Sequence, residues 1–195
     1  MPVAAANDAT DRPAQDAVVA RARTGSEEAW EALYAGAYPK LLAYARRRLP
    51  TLDHARDAVA ETMTRAVASI DSWSGAGAGF DAWLYGILRH VVVDSRRASR
   101  REAPARGTDL PSGGAEPEDH AQPHEPLLQT EDAVRLRAAY AGLNVEEQEI
   151  LELRVVAGLP ADQVARVLGR RPGAVRMAQS RALARLRRLL HEQAQ

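Results

Sequence analysis

Apolar side chains recur at helical spacing along two stretches of this chain, and few runs alternate as a strand would. Alanine and leucine, which favour helices, are abundant, whereas aromatic residues make up only 5% of the sequence. The pattern therefore predicts an all-α fold made of two small helical domains. Helices are expected over about residues 16–23, 26–49, 53–70 and 80–101 in the first domain, and over about residues 130–141, 145–155, 160–168 and 172–190 in the second.

Between the two stretches, residues 102–128 contain five prolines, three glycines and six acidic side chains against one basic one. Helices and strands tolerate this composition poorly, which predicts a flexible, disordered acidic linker. Residues 1–14 are predicted to be a disordered tail. The first module therefore covers residues 15–101, and the second covers residues 129–195. As a coil the linker spans about 30 Å, and it reaches about 85 Å when extended.

The net charge is zero, but the charges are segregated along the chain. The first module carries 13 basic and ten acidic side chains, and the second carries 11 basic and eight acidic ones. Nearly all the basic residues are arginine, whose guanidinium binds phosphates and base edges in bidentate fashion. Two basic modules on an acidic linker favour a nucleic-acid-binding protein.

The segment Leu159–Leu186 has the pattern of a helix-turn-helix. Val164 and Leu168 face inward, Ala165 allows the helices to cross closely, and Gly169 suits the left-handed turn. Eight arginines and no acid lie from residue 166 to residue 188, which is typical of a helix in the major groove, although an arginine-rich solvated helix has the same pattern. The candidate DNA-binding residues are Arg171, Arg176, Met177, Ser180, Arg181 and Arg185, with Ala184 and Arg188 on the same face.

Two features of the first module have alternative interpretations. Arg96 and Arg97 belong to a basic patch at the end of the fourth helix, where cations also simply oppose the helix dipole. Trp73 precedes a glycine-rich loop and is expected to be exposed, in a position suited to stacking on unpaired bases. Trp83 is expected in the core. The charged face of the third helix carries Asp57, Glu61 and Arg65.

Several functional classes are excluded by what the sequence lacks. Without cysteine there is neither a disulfide nor a thiolate metal site, and the five histidines show no metal-ligand spacing on a helix. No phosphate-binding glycine motif and no nucleophile arrangement occur, so neither an enzyme nor a cofactor is expected. No signal peptide and no apolar run of membrane-spanning length is seen, which favours the cytoplasm and no membrane insertion.

Three stretches together resemble region two of the extracytoplasmic-function (ECF) sigma factors of bacterial RNA polymerase. They are Ala29-Trp-Glu-Ala-Leu-Tyr34 through Leu49, Asp57-Ala-Val-Ala-Glu61 through Ile70, and Phe80-Asp-Ala-Trp-Leu-Tyr85 through Arg101. Residues 136–190 resemble region four of the same family, in the same order and spacing. Departures from the family pattern include Ala60, His90, Pro160 and Ala178, and they bear on the promoter sequence more than on the family.

The resemblance implies a sigma factor that binds core RNA polymerase and directs promoter recognition and melting. Region four would recognise the minus-thirty-five element and contact the polymerase flap, while the loop from Trp73 to Gly79 would capture a flipped base of the minus-ten element. The acidic linker would occupy the RNA exit path, and an anti-sigma factor could cover both modules. Asp57, Glu61 and Arg65 would bind the clamp helices of the polymerase, and Arg89, His90, Asp94, Arg96 and Arg97 would line the minus-ten element.

Other interpretations remain open at this point. Glu61 and Arg65 also have the spacing of an ordinary surface ion pair, and His90 is equally consistent with a helix histidine that has no role. A stand-alone helix-turn-helix regulator, with the first module as a sensor or dimerisation domain, explains the second module equally well. Such regulators often dimerise to match palindromic sites, so a stable dimer would favour this alternative.

Overall fold

The computed structural model describes residues 8–75, 79–102 and 130–193. All regular structure in these residues is helical, as the apolar spacing predicts. The predicted linker lies outside the described residues except for Glu102, which ends a helix. The α-helices are α1 Asp8–Arg23, α2 Glu27–Arg46, α3 Leu52–Ser69, α4 Phe80–Glu102, α5 Glu131–Ala141, α6 Val145–Leu151, α7 Ala161–Leu168 and α8 Pro172–Glu192.

Local capping explains where several helices of the first module begin. The Ser26 hydroxyl accepts the backbone N–H of Ala29 at 3.3 Å and so caps α2. Thr51 caps α3, which begins at Leu52, and Asp53 supplies a negative charge to the first turn. Helix α1 begins at Asp8 and not near residue 16, so residues 8–14 of the expected tail are helical.

The second module is built around two turns. Asn144 and Glu147 form a capping box at the start of α6, each accepting the other's backbone N–H at 2.9 Å. Helix α6 continues into a wider π-helical turn, Glu152–Val156, which ends before α7. Gly169 then takes the left-handed conformation, with φ of +65°, between α7 and α8. Helices α7 and α8 therefore form the helix-turn-helix that the sequence predicts.

One hydrophobic core runs through both modules. Helix α4 packs against α3 on one side and against α7 on another, so the buried cluster that contains Leu84 and Leu88 also contains Leu153, Val164 and Val175. A second, smaller cluster lies within the second module and contains Leu143, Leu151 and Ala182. The two modules are therefore docked on each other in this structure.

One apolar residue of α3 does not belong to the core. Val67 is 52% exposed, whereas Ala55, Val59, Met63 and Ala66 are buried. Consecutive residues of a helix lie about 100° apart, so the side chain next to buried Ala66 turns toward solvent. No helix in the described part of the chain is long and apolar enough to cross a membrane.

The left-handed turn allows a test of the helix-turn-helix geometry. Gly169→Ala is expected to lower the free energy of unfolding by about 1–2 kcal/mol, because φ is positive although the space around the glycine is open. Gly173→Ala, in the first turn of α8 and also in open space, is the control and should be neutral or slightly stabilising. Urea unfolding of the full chain measures both. Equal effects of the two substitutions would contradict the strain at residue 169.

Candidate nucleic-acid and polymerase interfaces

Most of the predicted DNA-binding side chains of α8 share one exposed face. Val175, Ala178 and Ala182 turn inward and are at most 7% exposed, which anchors the helix. The opposite face is free of acidic side chains from residue 166 to residue 188. It presents Arg176, Met177, Ser180 and Arg181, all of them exposed, and Arg171 is exposed at the N-cap of the helix.

Arg185 is placed differently from the other predicted DNA-binding residues. Its guanidinium lies 3.4 Å from the Glu147 carboxylate and donates to the backbone oxygen of Gly142 at 3.3 Å. The side chain is 40% exposed. The structure therefore directs part of Arg185 toward α6, which leaves only part of its donor set for a ligand.

Arg170, which lies in the turn before α8, also has an acidic partner in α6. Arg170 forms an exposed ion pair with Glu146, and its hydrogen bond lowers the pKa of the Glu146 carboxyl. Arg181 adds a smaller contribution in the same direction. The acidic first turn of α6 thus lies beside the basic face, where it would oppose any phosphate that came close to it.

Arg154 positions α8 and was not found by sequence reasoning. Its Nε donates to Oε1 of Gln179 in α8 at 2.9 Å, and its Nη1 donates to the backbone oxygen of Leu159 ahead of α7. These two bonds connect the π-helical turn to α8 and to the segment just ahead of α7. In the sequence, Arg154 stands out only as the one basic residue in the largely apolar run Leu151–Ala157. That pattern could not identify its partners, which are 5 and 25 residues away.

In the first module, four of the predicted minus-ten side chains are exposed on α4. His90, Asp94 and Arg97 follow one another at spacings of four and three residues and so share a face, with Arg96 beside them. Arg97 lies 3.9 Å from Asp94, and Nδ1 of His90 lies 2.7 Å from the backbone oxygen of Gly86. The structure brings these four residues together near the end of the helix.

Trp73 is buried, contrary to the expected exposure. It is only 7% exposed, and its ring meets the fully buried Phe80 edge-on at 5.9 Å between centroids. Phe80 also packs on the half-buried Trp83 at 5.6 Å. Because Phe80 begins α4, the aromatic contact anchors both ends of the loop, of which residues 76–78 lie outside the described chain.

The three charged residues predicted to bind polymerase are exposed on α3. Arg65 donates to Glu61 at 2.7 Å, which is the surface pair that their spacing allows, and Asp57 lies one turn earlier. An open groove of about 440 Å³ runs beside them, between α3 and α4, and is lined by Arg65, Ala68, Ser69, Ile87 and His90. The groove therefore adjoins both the α3 face and the exposed face of α4.

A group of charges joins the two modules and was also missed by sequence reasoning. The Glu152 carboxylate, 4% exposed, accepts a hydrogen bond from Arg47 at 2.6 Å and forms an ion pair with Arg48. Glu149 accepts the Tyr44 hydroxyl at 2.7 Å and lies 3.4 Å from Nε of Arg89. We call these residues the inter-module charge cluster.

Part of the cluster is buried. Burial raises the pKa of the Tyr44 hydroxyl well above its usual range, and Glu149 adds to this effect. Burial lowers the pKa of Arg47, but the hydrogen bond to Glu152, the charge of Glu152 and the contact with Tyr140 together outweigh it and raise that pKa. Arg48 stacks over the Tyr44 ring, 3.6 Å from its centroid. The contacts within the cluster therefore stabilise its charged groups against the cost of burial.

Both modules match known protein families. Residues 33–102 match the model of Sigma-70 region 2, and residues 133–186 match that of Sigma-70, region 4. The first match covers most of α2 and all of α3 and α4, and the second covers α6, α7 and most of α8. The same two regions were identified by resemblance in the sequence.

Relatives and solved structures agree with these matches. An ECF RNA polymerase sigma factor of Streptomyces griseus, ShbA, is 33% identical over 90% of this chain and 95% of its own length. SigD, an ECF sigma factor of Mycobacterium tuberculosis, is 33% identical over 88% of this chain and 82% of its own length. The sigma factor RpoE of Bartonella quintana, solved in complex with the anti-sigma factor NepR, is 26% identical with a TM-score of 0.62, covering 83% of this chain and 96% of that structure.

Proposed function

Since this chain belongs to the extracytoplasmic-function family of RNA polymerase sigma factors, we propose that its two modules recognise the two promoter elements separately and catalyse no reaction themselves. The second module recognises the minus-thirty-five element, and the first recognises the minus-ten element. The observation that carries this division is the exposed, acid-free face of α8 on a helix-turn-helix. We place the protein in the cytoplasm, where polymerase and promoter DNA are found.

In the second module, Arg176, Met177, Ser180 and Arg181 are the side chains proposed to meet base edges. Their exposure on the helix that follows the turn supports the proposal, because that helix of the motif enters the major groove. Arg171 lies at the start of α8, where phosphate contacts are common. Arg185 is proposed to contact the phosphate backbone with the donors that Glu147 and Gly142 leave free.

In the first module, His90, Asp94, Arg96 and Arg97 are proposed to line the minus-ten element along α4. The loop from residue 73 to residue 79 is proposed to hold the flipped base. The burial of Trp73 supports a role in holding the loop from below, in place of direct stacking on the base. Arg89 is proposed to join this set, and its Nε lies 3.4 Å from Oε1 of Glu149 in this structure.

We propose that Asp57, Glu61 and Arg65 of the first module bind the clamp helices of the polymerase, and that the polymerase flap binds the second module. The exposure of these three side chains on one face of α3, away from the core, supports the first contact. The proposed linker, residues 102–128, would follow the RNA exit path. An anti-sigma factor is proposed as a further partner, because RpoE of Bartonella quintana was crystallised with one.

Transcription from a randomised promoter library, with sigma-free core polymerase, tests the proposal. The full chain is expected to produce starts preceded by two enriched elements at a fixed spacing. Arg181→Ala should relax the preference at one position of the upstream element and weaken the matched promoter by about 1–3 kcal/mol.

Arg21→Ala is the matched control, since Arg21 is an exposed arginine of α1 in the first module and does not belong to the helix-turn-helix. It should leave the sequence preference unchanged. Equal weakening of Arg181→Ala on every sequence would assign Arg181 to phosphate. Tight duplex binding by a stable dimer, without any dependent transcription, would favour the helix-turn-helix regulator instead.

A further inference from the structure

We propose that α1 positions the loop of residues 73–79, with Gln15 and Arg23 holding the two segments between which the loop runs. The segment before the loop is the single 3₁₀ turn Ile70–Ser72, and the segment after it is the first turn of α4. This role rests on the proposed function, in which the loop captures a flipped base of the minus-ten element. Helix α1 lies outside the match to Sigma-70 region 2, which begins at residue 33.

Asp81, in the first turn of α4, is held at both of its carboxylate oxygens. Nε2 of Gln15 donates a hydrogen bond to Oδ1 at 2.7 Å, and Nζ of Lys40 in α2 lies 3.6 Å from Oδ2. The Asp81 side chain is 26% exposed, so water competes for these contacts only in part. Because both oxygens have a partner, the start of α4 is fixed relative to α1 and α2.

The segment before the loop is held by Arg23, in the last turn of α1. Its Nη2 donates to the backbone oxygen of Asp71 at 3.4 Å, and its Nε lies 3.6 Å from Oδ1 of the same residue. An exposed ion pair stabilises a fold by little, but two contacts from one guanidinium restrict where Asp71 lies. Gln15 and Arg23 are about 12 Å apart along α1, so the helix sets the distance between the two sides of the loop.

Helix α1 is itself packed on the core, which allows it to hold other segments in place. Val19 and Ala22 are at most 2% exposed. Nε1 of Trp30 in α2 donates to the backbone oxygen of Ala22 at 3.1 Å. The contacts with Asp71 and Asp81 therefore start from a helix whose own position is fixed by buried residues.

The composition of the loop makes the position of its ends important. Glycine restricts the backbone less than any other residue, and three of the six residues from 74 to 79 are glycine. The contact of Trp73 with Phe80 joins the two ends on the core side, and α1 fixes where both of them lie. A loop with fixed ends has fewer conformations to lose when it binds a base, so less of the binding free energy is spent on ordering it.

Two paired variants of the full chain separate the hydrogen-bond donors from the bulk of the side chains. Gln15→Met with Arg23→Met removes both donors, whereas Gln15→Lys with Arg23→Lys keeps a donor at each position. All of these residues favour helices to a similar degree, so α1 should stay helical. Ala20→Met with Arg21→Met is the matched control, since it changes two exposed residues of the same helix and alters the net charge as the methionine pair does.

Hydrogen exchange measures, without DNA, whether α1 holds the two segments. The Trp73 N–H donates to the Ile70 oxygen at 3.1 Å, and the Trp83 N–H donates to the Gly79 oxygen at 3.2 Å. In the methionine pair both amides should exchange severalfold faster than in the unaltered chain, whereas the lysine pair and the control should match the unaltered chain. Unchanged exchange in the methionine pair, or equally fast exchange in the lysine pair, would overturn the proposal.

Base capture is measured with core polymerase reconstituted with each chain, on a single strand that carries the minus-ten element selected from the randomised library. The readout is the ratio of the affinity for the intact strand to that for a strand with an abasic site, placed at each position in turn. The methionine pair should lower this ratio by about three- to tenfold at one position, and should leave the affinities for the abasic strand and for core polymerase unchanged.

The outcomes distinguish the role of α1 from the role of the loop. An equal fall of the ratio in the lysine pair, or no fall in the methionine pair despite faster exchange, would overturn the positioning role. If no abasic site weakens binding by the unaltered chain, the loop captures no base and its proposed function fails. Hydrogen exchange then still decides whether α1 holds the segments on the two sides of the loop.

Discussion

Core RNA polymerase is expected not to bind a chain that carries both Asp57→Lys and Glu61→Lys. Both carboxylates are exposed on α3, so the changes leave the buried side of the helix intact. The new lysines would place like charges wherever the polymerase offers cations, at a cost of several kcal/mol. They would also remove the hydrogen bond between Arg65 and Glu61. Native gel electrophoresis with core enzyme measures the loss.

The matched control is Glu28→Lys with Glu31→Lys, which makes the same change of charge on an exposed part of α2. This chain should still bind polymerase and support transcription. Both variants should keep the helical circular dichroism of the parent. Unchanged polymerase binding by the Asp57 and Glu61 variant would remove α3 from the proposed interface and leave Glu61–Arg65 as an ordinary surface pair.

Phe80→Ala is expected to lower the free energy of unfolding by about 3–5 kcal/mol. The ring is fully buried, and it contacts Trp73 and Trp83 with centroid distances of 5.9 Å and 5.6 Å. Its loss would leave a cavity at the point where the loop joins α4. Urea unfolding, followed by tryptophan fluorescence, measures the change, and emission should shift to longer wavelength as Trp73 becomes hydrated.

Phe80→Leu serves as the control, because it keeps most of the apolar volume. It should recover most of the stability and much of the emission. A loss of less than about 1 kcal/mol in Phe80→Ala would mean that the site collapses without cost. In that case the aromatic contact would not be what holds the loop.

Local signals were enough to predict most of the helical architecture. Asn144 and Glu147 satisfy each other's backbone N–H groups within four residues of chain, so the capping box needs no distant partner. Gly169 is suited to its turn by its own backbone freedom. The exposed face of α8 follows from helical spacing, since Val175, Ala178 and Ala182 fix which side is buried.

What could not be predicted depends on contacts between distant segments. Trp73 beside a glycine-rich loop indicates exposure, yet Phe80 holds it in the core. Arg185 shares a helix face with Arg181, but Glu147 of α6 turns part of it away. Glu152 in an apolar run gave no sign of its partners Arg47 and Arg48, which precede it by more than a hundred residues.

The continuity of the main core also bears on how this chain can vary over evolutionary time. Leu153, Val164 and Val175 stabilise the helix-turn-helix and belong to the same buried cluster as Leu84 and Leu88 of α4. A substitution at one of these positions therefore acts on two equilibria at once, the folding of a module and the docking of the pair. The cluster with Leu151 and Ala182 belongs to the second module alone. Sequence drift there can change the stability of the second module without altering its packing against the first.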